Sequence, residues 1–245
     1  MPTTANMRLI FWLVINLANL QNFFPNNNFE LIDLKKNYGK GYAVREGIKK
    51  VEGKHTIFID SDLEYEPEDI FEMYNVVIKN KNIRVLHGSR NLGTKIQLRR
   101  YFLNAIAVKL NTFLFNFLFN QSLTDLHTGS KIVKNSLLDK INISTNGFGL
   151  EIVMSSEISK KNINIFEYGI SYYERSFEQG KKITFFDGVK SYYFLFRERF
   201  LKNDFPTQVS ILYSFLFMTY AGTYFGMGSG KILVILWQIS ISKHF

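Results

Sequence analysis

A chain of 245 residues with 46% hydrophobic content is long enough for one sizeable α/β domain plus an appendage, and too apolar to be disordered. The absence of cysteine excludes disulfides, thiolate metal sites and cysteine nucleophiles together, leaving carboxylates, hydroxyls and four histidines for any chemistry. A formal net charge of +9 implies an anionic partner, which composition alone does not resolve among nucleic acid, a membrane surface and a phosphorylated substrate.

Leu9–Leu20 is an apolar run broken by Asn16 and Asn19, too short to span a bilayer. No small-x-small cleavage site follows, so a core strand or helix is the favoured reading, with a signal peptide or a non-native start as the alternatives. The texture becomes regular after the Asn26–Asn28 linker. Phe29–Leu34 reads as a strand, Gly39–Gly41 as a turn, Tyr42–Val51 as a helix and Thr56–Ile59 as the next strand, which together make a β-α-β unit. The turn offers amide groups and Lys40 to an anion at the helix start, or is simply tight.

The strand at Thr56–Ile59 runs into Asp60-Ser61-Asp62-Leu63-Glu64-Tyr65. Ligands of open α/β sheets sit outside the carboxyl ends of the strands, where two aspartates one residue apart are well placed to hold a divalent cation. An ordinary acidic turn is the plainer alternative. Pro67 then opens a helix over Glu68–Lys79, whose early acids suit the positive end of its dipole. Ile83–Leu86 returns as a strand leading into Gly88-Ser89-Arg90, where the arginine fork suits a phosphate.

Tyr101–Phe119 is a long helix with few charges, read as a plain core helix, although its Phe and Leu density also fits burial against lipid. Thr124–Lys131 packs an acid, several hydroxyls and a lysine into one loop, in which His127 reads as a surface or capped histidine. Glu151 begins a helix, where an acid is favourable without any function. Glu167–Tyr173 is a strand. After it, Arg175, Lys181 and Lys182 form either a trap for a lipid-borne phosphate or a solvated basic loop.

Val209–Met227 holds no charged residue over nineteen positions, enough to cross a hydrocarbon core, and Ile232–Ile241 starts a second apolar segment after the turn at Gly228–Lys231. Arg197, Arg199 and Lys202 stand just before the first of these, which places the preceding domain in the cytoplasm.

Taken in order, Gly39-Lys40-Gly41, Asp60-Ser61-Asp62-Leu63-Glu64-Tyr65, Gly88-Ser89-Arg90, Thr124-Asp125 with Thr128-Gly129, Gly147-Phe148-Gly149-Leu150-Glu151, and Arg175 with Gly180-Lys181-Lys182 resemble the family 2 glycosyltransferases. The similarity runs from about Phe29 to about Leu201 and is greatest to the polyprenyl-phosphate sugar transferase branch, the dolichyl-phosphate mannose synthase-like proteins. It implies a nucleotide-sugar-binding GT-A type α/β fold, a three-layer sheet sandwich with C-terminal membrane helices. It also implies Mg²⁺ or Mn²⁺, and inverting transfer of one sugar from a GDP- or UDP-sugar to dolichyl or undecaprenyl phosphate on the cytoplasmic leaflet. By the same resemblance Asp60 and Asp62 hold metal and diphosphate, with Glu64 as a third ligand. Arg90 lies near the donor, and Asp125 is an acid lining the active site. Lys40, Glu151, Arg175, Lys181 and Lys182 bind substrate, as does Lys131, which stands where some members carry arginine.

Two departures matter. The family's Pro-x-Tyr-Asn-Glu strand and its Asp-Gly-Ser strand end, which hold the nucleoside, have no counterpart here. The expectation is therefore an atypical segment over 1–28, an incomplete catalytic domain over 29–204 lacking its first strands, and a membrane segment over 205–245. The sheet must then be exposed at one edge or covered by a substitute strand. A non-catalytic membrane-bound remnant or partner subunit is the alternative reading. A nucleic-acid partner is not expected, because no nucleic-acid motif accompanies the charge.

Overall fold

The apolar run before the paired aspartates is strand β2 (His55–Asp60), and its alternation sets the architecture, with Ile57 packed on one side of the sheet and Phe58 on the other. The computed structural model describes residues 7–12, 32, 34–60, 62–147, 149–176, 178, 185–202 and 216. Within these residues β2 belongs to a five-stranded sheet ordered β1 (Met7–Trp12), β2, β5 (Lys131–Lys134), β3 (Val85–Ser89), β6 (Phe166–Gly169). A separate two-stranded ribbon pairs β4 (Gln97–Leu98) with β7 (Tyr172–Tyr173).

Strand direction determines where function can sit. β5 is antiparallel to both β2 and β3, so β2 and β3 run the same way. β1 is parallel to β2 and β6 to β3. Four strands therefore end, and β5 begins, at one edge of the sheet, and the segments after Asp60, Ser89 and Gly169 meet the segment before Lys131 there.

Helix α2 (Pro67–Lys79) covers one face, with Ile70, Met73, Tyr74 and Val77 packing on Ile57, Leu86 and Ile132. Pro67 is its first residue, where the missing amide costs nothing. The other face carries α1 (Lys40–Ile48), the short α4 (Asn135–Leu138) and α5 (Leu150–Lys160), whose Val44, Leu137, Leu150 and Met154 pack on Phe58, Val85 and Val133. Each such buried side chain contributes about 1.5–3 kcal/mol. The result is a three-layer α/β sandwich. A third cluster joins α3 (Phe102–Phe119) to α5 and α6 (Phe185–Phe196) through Phe115, Phe119, Ile152 and Leu195. α6 continues into a π-helical turn over Arg197–Leu201.

Several expectations change. The sheet edge at β2 is covered by β1, which is the start of the apolar run read as a core strand or helix. Of Phe29–Leu34 only residues 32 and 34 are described, and neither is in a strand. β5 was hidden in what reads as a loop, because four residues are too few to show periodicity. The segment Glu167–Tyr173 is two strands rather than one, divided after Gly169 so that Tyr172 and Tyr173 leave the main sheet for β4.

α3 is not the plain core helix expected. It buries Asn111, Thr112, Phe115 and Phe119 but exposes Phe102, Leu103, Ile106, Leu110, Phe113 and Phe117. Among the described residues it is the one helix long and apolar enough to cross a membrane by length and composition. The segments Val209–Met227 and Ile232–Ile241 lie outside the described residues, apart from a helical Leu216.

Candidate active site

Asp60 is the last residue of β2, and two elements close on its carboxylate. Lys40, the first residue of α1, places its Nζ 2.5 Å from Asp60 Oδ1 and 2.6 Å from Glu151 Oε1 in the first turn of α5. On the other side, a Cβ added at Gly129 would lie 2.1 Å from Asp60 Oδ2, so only glycine lets the backbone before β5 pass that carboxylate. Burial alone would lower the Lys40 ammonium, but the charges of Glu151 and Asp60 outweigh it and raise it. Glu151 responds in kind: burial pushes it up, the Lys40 charge overrides that, and it is lowered to about 2. These groups line a shallow recess with Phe58, Thr128 and Lys131.

Asp62 lies two residues further on, its Oδ2 accepting from Arg175 Nη2 at 3.0 Å. Burial first, then the charges of Glu64 and Asp60, push its carboxyl up against the opposing pull of Arg175. Glu64 is buried and occupied: its Oε2 accepts from the Tyr172 hydroxyl at 2.8 Å and its Oε1 from the Arg175 amide at 3.0 Å. In this arrangement Glu64, expected as a third metal ligand, anchors β7 to the acidic segment. Among the described residues no group of three or more acids and histidines gathers around a cation site. Two carboxylates still fit a hard divalent ion, because Mg²⁺ is commonly held by one or two carboxylates with phosphates and water completing its shell.

At the end of β3, Arg90 and Asp125 form a bidentate pair, Nε to Oδ2 at 2.6 Å and Nη2 to Oδ1 at 2.8 Å, and the Arg90 amide adds a third bond at 3.1 Å. Asp125 has no exposed surface. Burial would raise it, but the adjacent guanidinium wins and lowers it. Asp125 is thus not an acid facing the cleft, as expected, but the group behind Arg90 that fixes its orientation. Its own loop is held by Glu167, which accepts from the amides of Thr124 and Asp125. The Arg90 guanidinium lies 4.9 Å from the Tyr172 ring centre, which links this pair to Glu64 and Arg175.

The third part pairs Lys131, singled out from the sequence but placed in a loop there, with His87, which the sequence reading did not single out. Lys131 is not in a loop but is the first residue of β5, buried between Phe58 and His87 of the flanking strands. Burial lowers its ammonium to about 8 even though Glu151 and Asp125 pull upward. Its Nζ is 3.3 Å from His87 Nδ1. His127, read as a surface or capped histidine, is partly buried, and desolvation lowers it to about 4. A histidine inside an otherwise apolar strand, as in Val85-Leu86-His87, was the available signal, and it was passed over.

The structure thus joins Lys40, Asp60, Asp62, Glu64, Arg90, Asp125, Lys131, Glu151 and Arg175 along one edge. Lys181 and Lys182 lie outside the described residues. Lys40, read as available to an anion or as part of a tight turn, pairs with two carboxylates in this structure. The helix-start amide of Tyr42 is also taken, by the Asn146 carbonyl at 3.2 Å.

Comparison with known proteins accords with this layout. The pattern of glycosyl transferase family 2 matches residues 16–141, about half of the chain. A stretch of 86 residues is 31% identical to dolichyl-phosphate beta-glucosyltransferase of Dictyostelium discoideum, covering 34% of this chain and 26% of that protein. Among solved structures, glucosyl-3-phosphoglycerate synthase from Mycobacterium tuberculosis, in complex with uridine diphosphate, superposes with a TM-score of 0.50 at 16% identity, covering 65% of this chain and 55% of that one. A further mycobacterial protein gives 0.55 at 12% identity, covering 79% and 63%. The chain therefore spans less than two thirds of the length of each of these, and at such identities the structural likeness speaks for a GT-A-like α/β fold. With that fold in place and the family's pattern running from before α1 to beyond β5, the chain belongs to glycosyl transferase family 2.

Proposed function

We propose that the protein is a metal-dependent, inverting hexosyltransferase that moves a sugar from a GDP- or UDP-sugar to a polyprenyl phosphate, dolichyl or undecaprenyl, at the cytoplasmic face of a membrane. One observation carries this reading: carboxylates at the end of β2, an immobilised arginine at the end of β3 and Arg175 after β7 converge on the same sheet edge. That is where an open α/β sheet takes its ligand. The activity named for the Dictyostelium relative supports glucose and a dolichyl-type acceptor. The exposed apolar side of α3 supports a lipid surface close by.

A phosphate monoester is already largely ionised at neutral pH, its second pKa being about 6, so the acceptor needs no strong base. The burial of Asp125 behind Arg90 agrees, because no free carboxylate is required there. Asp60 and Asp62 would hold a divalent ion, which when bound would supply charge stabilisation to the departing diphosphate. Arg175, partly exposed beside Asp62, presents a fork of donors to phosphate oxygens, and Arg90 is held rigid for the same purpose. Lys131, lowered to about 8, remains mostly protonated at neutral pH and adds positive charge beneath the recess.

The test uses the full chain in detergent or nanodiscs, with radiolabelled UDP-glucose or GDP-mannose, a polyprenyl phosphate and Mn²⁺ or Mg²⁺. Label is expected in a solvent-extractable lipid monophosphate, and chelation should abolish it. No transfer from either donor, together with no saturable heat when donors are titrated in with Mn²⁺, would replace the reading with that of a non-catalytic membrane-bound partner.

A further inference from the structure

Lys40 sits where its own helix disfavours it. It is the first residue of α1, at the positive end of the dipole, and the first turn of α1 contains no acid to offset it. What holds the ammonium there lies outside the helix. Asp60 Oδ1 is 2.5 Å away and Glu151 Oε1 2.6 Å away, from β2 and from the N-terminus of α5. Glu151 itself is well placed at the start of α5 whatever Lys40 does. The second oxygen of Asp60 faces the backbone at Gly129, so the carboxylate cannot swing away to that side. One cation is thus shared by two acids, and only one of them is a proposed metal ligand.

We propose that Lys40 is a resident counter-cation of Asp60 that retreats onto Glu151 when a divalent ion arrives, so that the ion binds weakly alone and tightly only with a nucleotide diphosphate. This inference rests on the metal reading given above. Glu151 is then a positioning residue: by offering Lys40 a second partner it eases release of Asp60. A diphosphate brings further oxygen ligands and negative charge, which compensate the ion for the competition it meets from Lys40. The arrangement keeps the carboxylates neutralised until donor and metal are both present.

The measurement is Mn²⁺ binding to the full chain, followed by electron paramagnetic resonance or calorimetry, with and without UDP. For Mn²⁺ alone, Lys40→Met should tighten binding by roughly tenfold or more, since a unit charge a few ångströms from the ion is worth more than one decade at an effective dielectric near 20. Glu151→Gln should weaken it, because Lys40 then falls wholly to Asp60. In the Lys40→Met background the Glu151→Gln effect should disappear, which a double-mutant cycle reads directly. Lys40→Arg, which keeps the charge, should retain weak binding. A merely structural role for Lys40 and Glu151 would move both single variants in the same direction. Equal affinities in wild type and Lys40→Met, or weakening in both variants, overturns the counter-cation role while the metal reading stands. Absence of Mn²⁺ binding in every protein, even with UDP, overturns the metal reading itself. Should Lys40→Met fail to fold, Glu151→Gln decides: weaker Mn²⁺ binding supports the inference, and unchanged or tighter binding sinks it.

Discussion

The ends of β2 and β3 carry the same kinds of charge and use them in opposite ways. Arg90 and Asp125 are 12% and 0% exposed at their side chains, and both carboxylate oxygens are bonded to the one guanidinium. At the end of β2 the partners are 17–33% exposed, Lys40 is divided between two acids, and Asp62 meets Arg175 through a single nitrogen. A buried, fully bonded pair cannot be separated without leaving a charge out of water, whereas a partly exposed pair more readily exchanges its partner for a ligand. Burial thus separates the part of the site that holds shape from the part that does exchange.

The sharpest way to break this comparison is Arg90→Met. It leaves Asp125 buried without its partner and should cost about 3–5 kcal/mol in denaturant unfolding, with much of the loss regained on adding Asp125→Asn. An Arg90→Met chain as stable as wild type would show that the pair is not a fixed element. Asp62→Asn should behave in the reverse sense. Turnover is expected to fall by roughly 10²–10³, about 2.7–4 kcal/mol in the barrier, while the unfolding midpoint stays near that of wild type. Near-normal transfer by that variant would remove Asp62 from the mechanism.

A smaller effect tests the support behind Arg90. Glu167 accepts from the amides of Thr124 and Asp125, at 2.8 and 3.0 Å. Glu167→Ala leaves those donors without that acceptor and should cost about 1–3 kcal/mol of stability, with turnover falling as Arg90 loses its fixed placement. Unfolding curves that superimpose on wild type would show the loop to be held by something else.

A last effect is one of pH. Burial lowers His127 to about 4 from an ordinary 6.5, against the upward pull of Glu151 and Asp125. Between those values the unfolded chain binds a proton that the folded chain does not, so stability should fall as pH drops from 6.5 toward 4. Glu151, lowered to about 2 from 4.5, adds stability that is present above 4.5 and lost as pH falls through 2. Melting temperatures followed from pH 7 downward should decline, and His127→Gln should flatten the part between 6.5 and 4. An unchanged slope in that variant would place the acid sensitivity elsewhere, with His87 the next group to test because burial and the Lys131 charge lower it too.

What could be read from the sequence was local. A strand ending in acids, Pro67 at a helix start and the order of the short motifs depend on residues close together in the chain, and β2, α2 and the end of β3 lie where those signals put them. β5 could not be read, since four residues carry too little periodicity, and its place between β2 and β3 is set by strands far away in sequence. The bend that divides β6 from β7 was equally silent, because Tyr172 is apolar enough to continue a strand in either sheet.

The amino acids alone therefore determined which charges exist and which strand ends carry them. Only the tertiary structure decided how those charges pair. Lys40 reaches Glu151 across 111 residues and Arg175 reaches Asp62 across 113, distances over which no sequence pattern speaks. The reason is physical. Strand register and helix packing set which side chains share a low-dielectric space, and that space determines whether an arginine and an aspartate become a fixed strut or an exchangeable pair.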